Sequence, residues 1–283
     1  MKFNFFTFII FGIILYFFIN TGNNSFLPVK NTLLIQQGKP EITQFTQKRL
    51  KILNWNIHKE NHLLQWKNDF KEMLLQKSPD IITLQEARLD TDLSLFLQEN
   101  KLPAVFAANT YQSEFNAYTG IMNLSKIATL SNQSVLSNQT EPFSKTAKIA
   151  LFSIYPVNQQ KLLVINIHAL NFHIRLTPFK EQLQHIFEIA SRHQGPLILI
   201  GDFNTWRKKR TLFLAQLTQK MGLKKVNFGD QAPYIKNFFG EALDAIFYSD
   251  KDFTVIPNSA DVIEGIQSSD HQALFIELEF RKF

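Results

Sequence analysis

The sequence predicts an α/β domain built from two sheets with helices outside. Short apolar runs of strand length recur from residue 50 to the C-terminus, separated by segments with helical spacing. Mixed strands and helices over about 230 residues require two sheets covered by helices. The chain has 283 residues, 45% of them hydrophobic, which is ample for one sizeable core and one catalytic domain. No internal repeat or low-complexity segment argues otherwise.

Leu50–Ile57 is the first strand, with Ile52 and Leu53 ahead of Trp55 and Ile57. His62–Gln76 carries Leu63, Leu64, Trp66, Phe70, Met73, Leu74 and Leu75 at helical spacing, and Ser78-Pro79-Asp80 stops it. Ile81–Gln85 is a short strand ending at Glu86, and Thr91–Glu99 is a helix capped by Asp90 or Thr91. Ala104–Ala107, Gly120–Leu124, Ile149–Tyr155 and Leu162–Ile167 read as strands. Pro178 opens a helix running to about His193. The unbroken apolarity of Pro196–Ile200 marks a fully buried strand. Lys208–Met221 is helical with Gly222 at its C-terminal cap, and Ala242–Tyr248 and Ala273–Phe280 close the domain.

Cysteine is absent, so disulfides and thiolate metal sites are excluded. The formal net charge of +6 suits a polyanionic partner or a membrane surface, and is equally ordinary for a lysine-rich soluble protein. Phe5–Ile19 is apolar except for Thr7 and Gly12 and follows Lys2. At about 1.5 Å per residue it spans roughly 22 Å, against about 30 Å for a bilayer core. Residues 1–22 are therefore read as an anchor or a secretory signal. No small-x-small cleavage site follows, which favours an anchor, with the domain on the outer or periplasmic side; cleavage would make the protein secreted. Polar, weakly periodic residues 23–49 read as a linker, and 50–283 as the domain.

Six polar motifs stand at the ends of apolar runs: Asn54-Trp55-Asn56, Gln85-Glu86, Asn166-Ile167-His168, Gly201-Asp202-Phe203-Asn204, Leu243-Asp244 and Ser269-Asp270-His271. Together they supply hard oxygen ligands, two imidazoles and carboxylates to orient them. Magnesium needs only one or two carboxylates plus substrate phosphate, so Asn56 and Glu86 suffice as its ligands. Taken singly, Asn56 could be a turn former and Glu86 a solvated loop charge. Asp202 and Asn204, at i and i+2, would point the same way on an extended segment and orient a water that Asp202 helps to deprotonate. An Asx-turn is the competing reading. His168 and His271 could each donate to a phosphate and stabilise its growing charge, or serve as structural histidines. Asp244 could hold His271 in its charged form. His168 has no clear partner, Glu114 being a weak candidate. Arg207-Lys208-Lys209-Arg210 opposes a helix dipole, which hints at a phosphate-facing role; an exposed basic face is the alternative. No nucleotide-binding Gly-rich loop, His-Glu-x-x-His or nucleophile elbow competes.

In this order the motifs resemble the endonuclease/exonuclease/phosphatase superfamily, which includes DNase I, abasic-site endonucleases, neutral sphingomyelinases and inositol-polyphosphate phosphatases. The likeness covers about Leu50 to Phe280. WNIHKE at 55–60, LQEA at 84–87, NIHALNF at 166–172, GDFNTW at 201–206 and LDAIFY at 243–248 look like its small bacterial YafD-like branch. The resemblance implies a DNase I-like four-layer α/β sandwich, two packed mixed β-sheets with helices outside. It places a magnesium-dependent site, with manganese as an alternative ion, at one end of the sheets. By the family pattern Asn56 and Glu86 look like metal-site residues, with Asp270 near the metal or bracing the site. Asp202 and Asn204 would orient water, His168 and His271 would contact phosphate, and Asp244 would pair with His271. Ala245 and Ser125-Lys126 depart from many relatives, which bears on substrate grip.

The expected activity is hydrolysis of phosphate mono- or diesters by direct water attack. Nucleic acid leads as substrate because of the basic run at 207–210. A membrane-lipid headgroup is the alternative, given the N-terminal segment and Asn237-Phe238-Phe239-Gly240. A catalytically silent binding protein of the same fold is the rival from another class.

Overall fold

The computed structural model describes residues 26–283. The anchor or signal expected at 1–22 lies outside them. Among the described residues no helix is long and apolar enough to cross a membrane.

Two mixed sheets pack face to face. The first has eight strands. Its path runs β1 (Phe26–Gln37), β4 (Ala104–Gln112), β5 (Ala117–Ser125), β3 (Ile81–Leu89), β2 (Arg49–Asn56), β16 (Ala273–Phe280) and β14 (Phe253–Val255), with β15 (Asp261–Ile263) also on β16. The second has six: β10 (Leu223–Lys225), β13 (Asp244–Ser249), β9 (Leu197–Asp202), β8 (Gln160–His168), β7 (Ala147–Val157) and β6 (Ser131–Thr140). A short hairpin, β11 (Asn237–Phe238) and β12 (Glu241–Ala242), stands apart.

Three apolar clusters define four layers. Leu50, Ile52 and Ile276 of the first sheet meet Val164, Ile198, Ile200 and Ile246 of the second. On the outer face of the first sheet, Leu53, Trp55 and Leu84 pack on helices α1 (Leu64–Lys77) and α2 (Thr91–Glu99). On the outer face of the second, Ile165, Leu199 and Phe247 pack on α3 (Thr177–Ala190) and α4 (Lys208–Lys220). This is the DNase I-like sandwich that the family resemblance implied.

Local chemistry explains the boundaries. Trp66, Phe70 and Met73 share the buried face of α1, and Ser78 closes it in a left-handed conformation. The Asp90 side chain accepts from Leu93 N at 2.8 Å and caps α2. Pro178 sits in the first turn of α3, where a missing N–H costs nothing. β9 is buried along its whole length, as its composition required.

The span 23–49, read as a linker, is corrected by β1, which pairs antiparallel with β4. Burial alternates along residues 33–37, with Leu33 and Ile35 packed inward. An edge strand with polar outward positions looks like a linker when only overall polarity is weighed. Ile42 then bridges to Ile127 and Phe45 to Val157, so the stretch is packed on the domain. β6, SNQSVLSNQT, was missed for the same reason: it is a polar edge strand.

The sheets are also joined by buried amides. Gln85 Nε2 donates to Asn54 Oδ1 and to Asn166 Oδ1, both at 2.8 Å. Asn166 Nδ2 donates to Asn123 Oδ1 at 3.0 Å and to the carbonyls of Leu84 and Met122 at 3.1 Å. Asn123 Nδ2 reaches Ser153 Oγ at 3.0 Å. Asn54, Gln85 and Asn123 belong to the first sheet, and Ser153 and Asn166 to the second.

Replacing Asn166 with Leu keeps the approximate volume and strips partners from buried groups on both sheets. At about 1–3 kcal/mol for each unsatisfied buried group, Asn166→Leu should lower unfolding stability by about 3 kcal/mol or more in urea. An unchanged unfolding free energy would refute a joining role for the network.

Candidate active site

The polar motifs converge at one end of the space between the sheets. On the second sheet, His168 closes β8, Asp202 closes β9 and Asp244 opens β13. Register pairs His168 with Asp202, and Asp202 with Asp244, so three functional side chains stand on adjacent strands. On the first sheet, Asn56 ends β2, Glu86 lies within β3 and His271 precedes β16.

Two backbone devices make this possible. The β3–β5 register shifts between Leu84 and Ala87, and Glu86 takes φ +55°. This bulge lets the adjacent residues Gln85 and Glu86 serve the buried network and the site together. At Gly201, φ is +140° and an added Cβ would lie 2.0 Å from the Ile167 carbonyl oxygen. Only glycine allows β9 to approach β8 so closely beside Asp202.

His271 Nδ1 lies 2.7 Å from Asp244 Oδ2. Burial opposes the charged imidazole, but Asp244, with Asp202 and Asp270 behind it, pushes the His271 pKa up to about 10. His271 is thus an imidazolium whose Nε2–H is free of Asp244. Its loop is pinned to β2 by Trp55 Nε1 donating to His271 O at 3.0 Å and Ser269 Oγ donating to Asn56 O at 2.7 Å. Asp202 is buried and faces Asp244, and both effects raise its pKa above the ordinary carboxylate range. Its Oδ2 accepts from Asn56 Nδ2 at 3.0 Å.

His168 is the opposite case. Lys148 Nζ lies 3.0 Å from its Nε2. An ammonium only donates, so Nε2 accepts and the ring is neutral. Burial and then Lys148 hold its pKa well below the usual imidazole value. In this state Nε2 accepts from Lys148, whereas His271 carries a proton on each ring nitrogen. Glu114 lies exposed in the turn at 113–116; Lys148 is the partner, with Asp202 Oδ2 at 3.6 Å and Glu86 Oε1 at 3.7 Å. Lys148 also approaches Glu141 Oε1 at 3.4 Å.

Glu86 Oε2 receives Lys59 Nζ at 2.6 Å. Burial would raise the Glu86 pKa, but the Lys59 and Lys148 ammonium groups hold it well below the carboxylate range. Lys59, Lys148 and Glu141 were not singled out in the sequence. Lys59 lay in plain view within WNIHKE, and Lys148 is a charge at the head of the apolar run IALFSIY.

The remaining candidates divide. Asn204 takes φ +49°, its N–H donates to Asp202 Oδ1 at 2.8 Å and its Nδ2 to Ala169 O at 2.9 Å. The strand ends at Asp202, so i, i+2 alternation does not apply, and the Asx-turn is present. Asp270 is 48% exposed at the rim, with Oδ2 on Lys236 Nζ at 2.8 Å and Oδ1 at 3.8 Å from His271 Nε2. Burial opposes the charged Asp270 carboxylate, but Lys236 and His271 lower its pKa. Arg210 leaves the basic run entirely. It is buried, donates to the carbonyls of Leu170, Asn204 and His173, and lies over Phe179. Arg207, Lys208 and Lys209 remain exposed.

The donor set fits a hard divalent cation. Glu86, Asp202 and Asp244 bring carboxylates to the site, Asn56 adds an amide whose Oδ1 also accepts from the His58 N–H at 3.1 Å, and Asp244 Oδ1 is buried without a hydrogen-bond partner. Ligand atoms of Asp202, Asp244 and His271 lie within 4.8 Å of one another. However, the proton on His271 already occupies the Asp244–His271 contact, so a cation there would face an imidazolium. Glu86 with Asn56 carries no such conflict with His271.

The family to which this chain belongs makes it a phosphoesterase-type hydrolase. The model of the Endonuclease/Exonuclease/phosphatase family matches residues 53–271, and the chain belongs to that family. Members generally depend on divalent metals. The chain is 32% identical over 236 residues to a UPF0294 protein of Erwinia tasmaniensis, covering 82% of this chain and 81% of that one. This supports the YafD-like resemblance. Among solved structures, the endonuclease/exonuclease/phosphatase of Beutenbergia cavernae superposes with a TM-score of 0.63 at 16% identity, over 83% of this chain and 72% of that one. D. rerio TDP2, complexed with single strand DNA product, superposes with a TM-score of 0.61 at 18% identity, over 82% and 100%. Such distant likenesses establish the fold.

The raised His271 pKa has a consequence for metal-free protein. The folded state holds the proton more tightly than the unfolded chain, whose histidine titrates near about 6.5. The stabilisation is therefore whole below about pH 6.5 and is lost as pH rises through about 10. Urea unfolding in EDTA across that window should show wild type losing stability relative to His271→Gln. Parallel curves would contradict a charged His271.

Proposed function

We propose that the protein is a divalent-metal-dependent phosphoesterase that hydrolyses phosphodiester or phosphomonoester bonds by direct attack of water, with nucleic acid as its substrate. The observation that carries this reading is the meeting of Asn56, Glu86, His168, Asp202, Asp244 and His271 in one cleft, with His271 charged by Asp244.

Asp202 is the general base. Its raised pKa brings it toward the operating pH, where proton transfer is most effective. Asn56 Nδ2 and the Asn204 N–H fix its two oxygens. The His271 Nε2–H is placed to donate to a phosphoryl oxygen as negative charge develops, and Asp244 keeps that proton in place. His168 stays neutral and ties Lys148 to the same cleft. Glu86 and Asn56 Oδ1 would hold magnesium or manganese, which when bound supplies positive charge to the phosphoryl oxygens.

Nucleic acid is favoured by the net charge of +6 and by exposed Arg207, Lys208 and Lys209. A second reading, a membrane-lipid headgroup, is favoured by the β11–β12 hairpin, where Phe238 and Phe239 are 54% and 73% exposed. In that reading residues 1–22 hold the domain at the outer or periplasmic face of a membrane.

The full chain should cleave bis-p-nitrophenyl phosphate with magnesium or manganese and stop in EDTA. Asp202→Asn and His271→Ala should each lower kcat by about 10²–10⁴-fold. On DNA, activity should fall steeply with salt; preference for sphingomyelin or phosphoinositide vesicles would select the lipid reading. No turnover on any of these substrates, with both variants indistinguishable from wild type, would sink the hydrolase reading in favour of a binding role.

A further inference from the structure

Lys59 places an ammonium on the carboxylate that a divalent cation needs. Its Nζ lies 2.6 Å from Glu86 Oε2, and the backbone enforces the meeting. His58 and Lys59 both adopt positive φ, +48° and +61°. The His58 N–H donates to Asn56 Oδ1, and the Lys59 N–H donates to the Glu86 carbonyl at 2.9 Å. A left-handed turn after β2 is thus locked to the bulge of β3, and the lysine is aimed at Glu86.

The two lysines of the cleft differ in freedom. Lys148 is held between His168 and Glu141, and its side chain is only 12% exposed. The Lys59 side chain is 38% exposed. Both line a cavity with Glu86, Glu141 and His168, whose wall also includes Asn109, Thr110, Thr119, Ser144 and Thr146. Two ammonium groups, Lys59 and Lys148, face two carboxylates there, Glu86 and Glu141. The cavity has no net charge to attract an anion until one carboxylate is neutralised by something other than a lysine.

We propose that Lys59 is a displaceable counter-cation: it neutralises Glu86 while no divalent cation is bound, and passes to the phosphoryl oxygens of a substrate once one is. The inference rests on Glu86 being the metal-holding carboxylate. Lysine suits this role as a compact point charge on a flexible stem, where a planar guanidinium would demand fixed geometry. A divalent cation arriving alone must break an ion pair, so it binds weakly. Phosphate gives the released ammonium a new partner. Cation and phosphate therefore bind cooperatively, and linkage requires each to tighten the other by the same factor.

The test is Mn²⁺ binding to the full chain, followed by the electron paramagnetic resonance signal of free Mn²⁺, with and without inorganic phosphate. Phosphate's own complexation is measured without protein and subtracted. Lys59→Met should bind Mn²⁺ alone about tenfold more tightly than wild type, and phosphate should tighten wild type by about tenfold but not the variant. Lys59→Arg, which keeps the charge, should bind Mn²⁺ alone as weakly as wild type. Lys59→Met binding no more tightly, or phosphate tightening both proteins equally, would overturn the proposal. Mn²⁺ binding that survives in Glu86→Gln would overturn it by removing Glu86 as the holder while leaving metal dependence intact. Absence of binding in every variant would overturn it together with the metal-dependent reading.

Discussion

Gln85 and Asn166 meet between the sheets, and the site is assembled above that contact. Each belongs to a strand that leads on to a candidate site residue: Glu86 after Gln85, His168 beyond Asn166. The amide at 2.8 Å therefore sets the relative height of the two sheets at the cleft mouth. Apolar packing between Leu50, Ile52, Val164 and Ile200 supplies attraction without direction. Hydrogen bonds between buried amides supply the register, because a slipped pairing would leave polar groups unsatisfied in a dry interior. The sandwich could tolerate many substitutions in its apolar layer, but few that shift Glu86 against Asp202.

The two histidines show how surroundings assign chemistry to identical side chains. His271 faces three carboxylates that outweigh its burial and keeps its proton; for His168 burial, and then the Lys148 ammonium, outweigh the carboxylates nearby. Electrostatic asymmetry across a few ångströms gives one donor and one acceptor in the same cleft. It also allows lysines and carboxylates to be packed together without a large net charge.

Much of the fold was legible because its strands are either fully buried or end in polar motifs. PLILI can only be a covered strand, and Trp66, Phe70 and Met73 can only be one helix face. The edges were not legible: β6 is polar almost throughout, and in β1 Leu33-Leu34-Ile35 is a short apolar run amid polar neighbours. At the site, residue types announced the carboxylates and imidazoles, while backbone conformation remained hidden. Nothing in GDFN reveals that Asn204 turns left-handed, or that Glu86 sits on a bulge. Arg210 misled because a run of four cations reads as one surface, although a helix start sends its members in different directions. The protonation of His168 was likewise invisible, since it depends on burial between the sheets and on Lys148 arriving from a neighbouring strand.

The pairing of β1 with β4 bears on where the chain can be cut. A fragment beginning near residue 45 looks natural from sequence polarity, yet it would remove the outer strand and bare the hydrogen-bonding edge of β4. An unpaired edge carrying Val105, Phe106 and Ala107 is a template for intermolecular strand addition. Loss of solubility in such a fragment would then reflect an uncapped sheet rather than an unstable catalytic core.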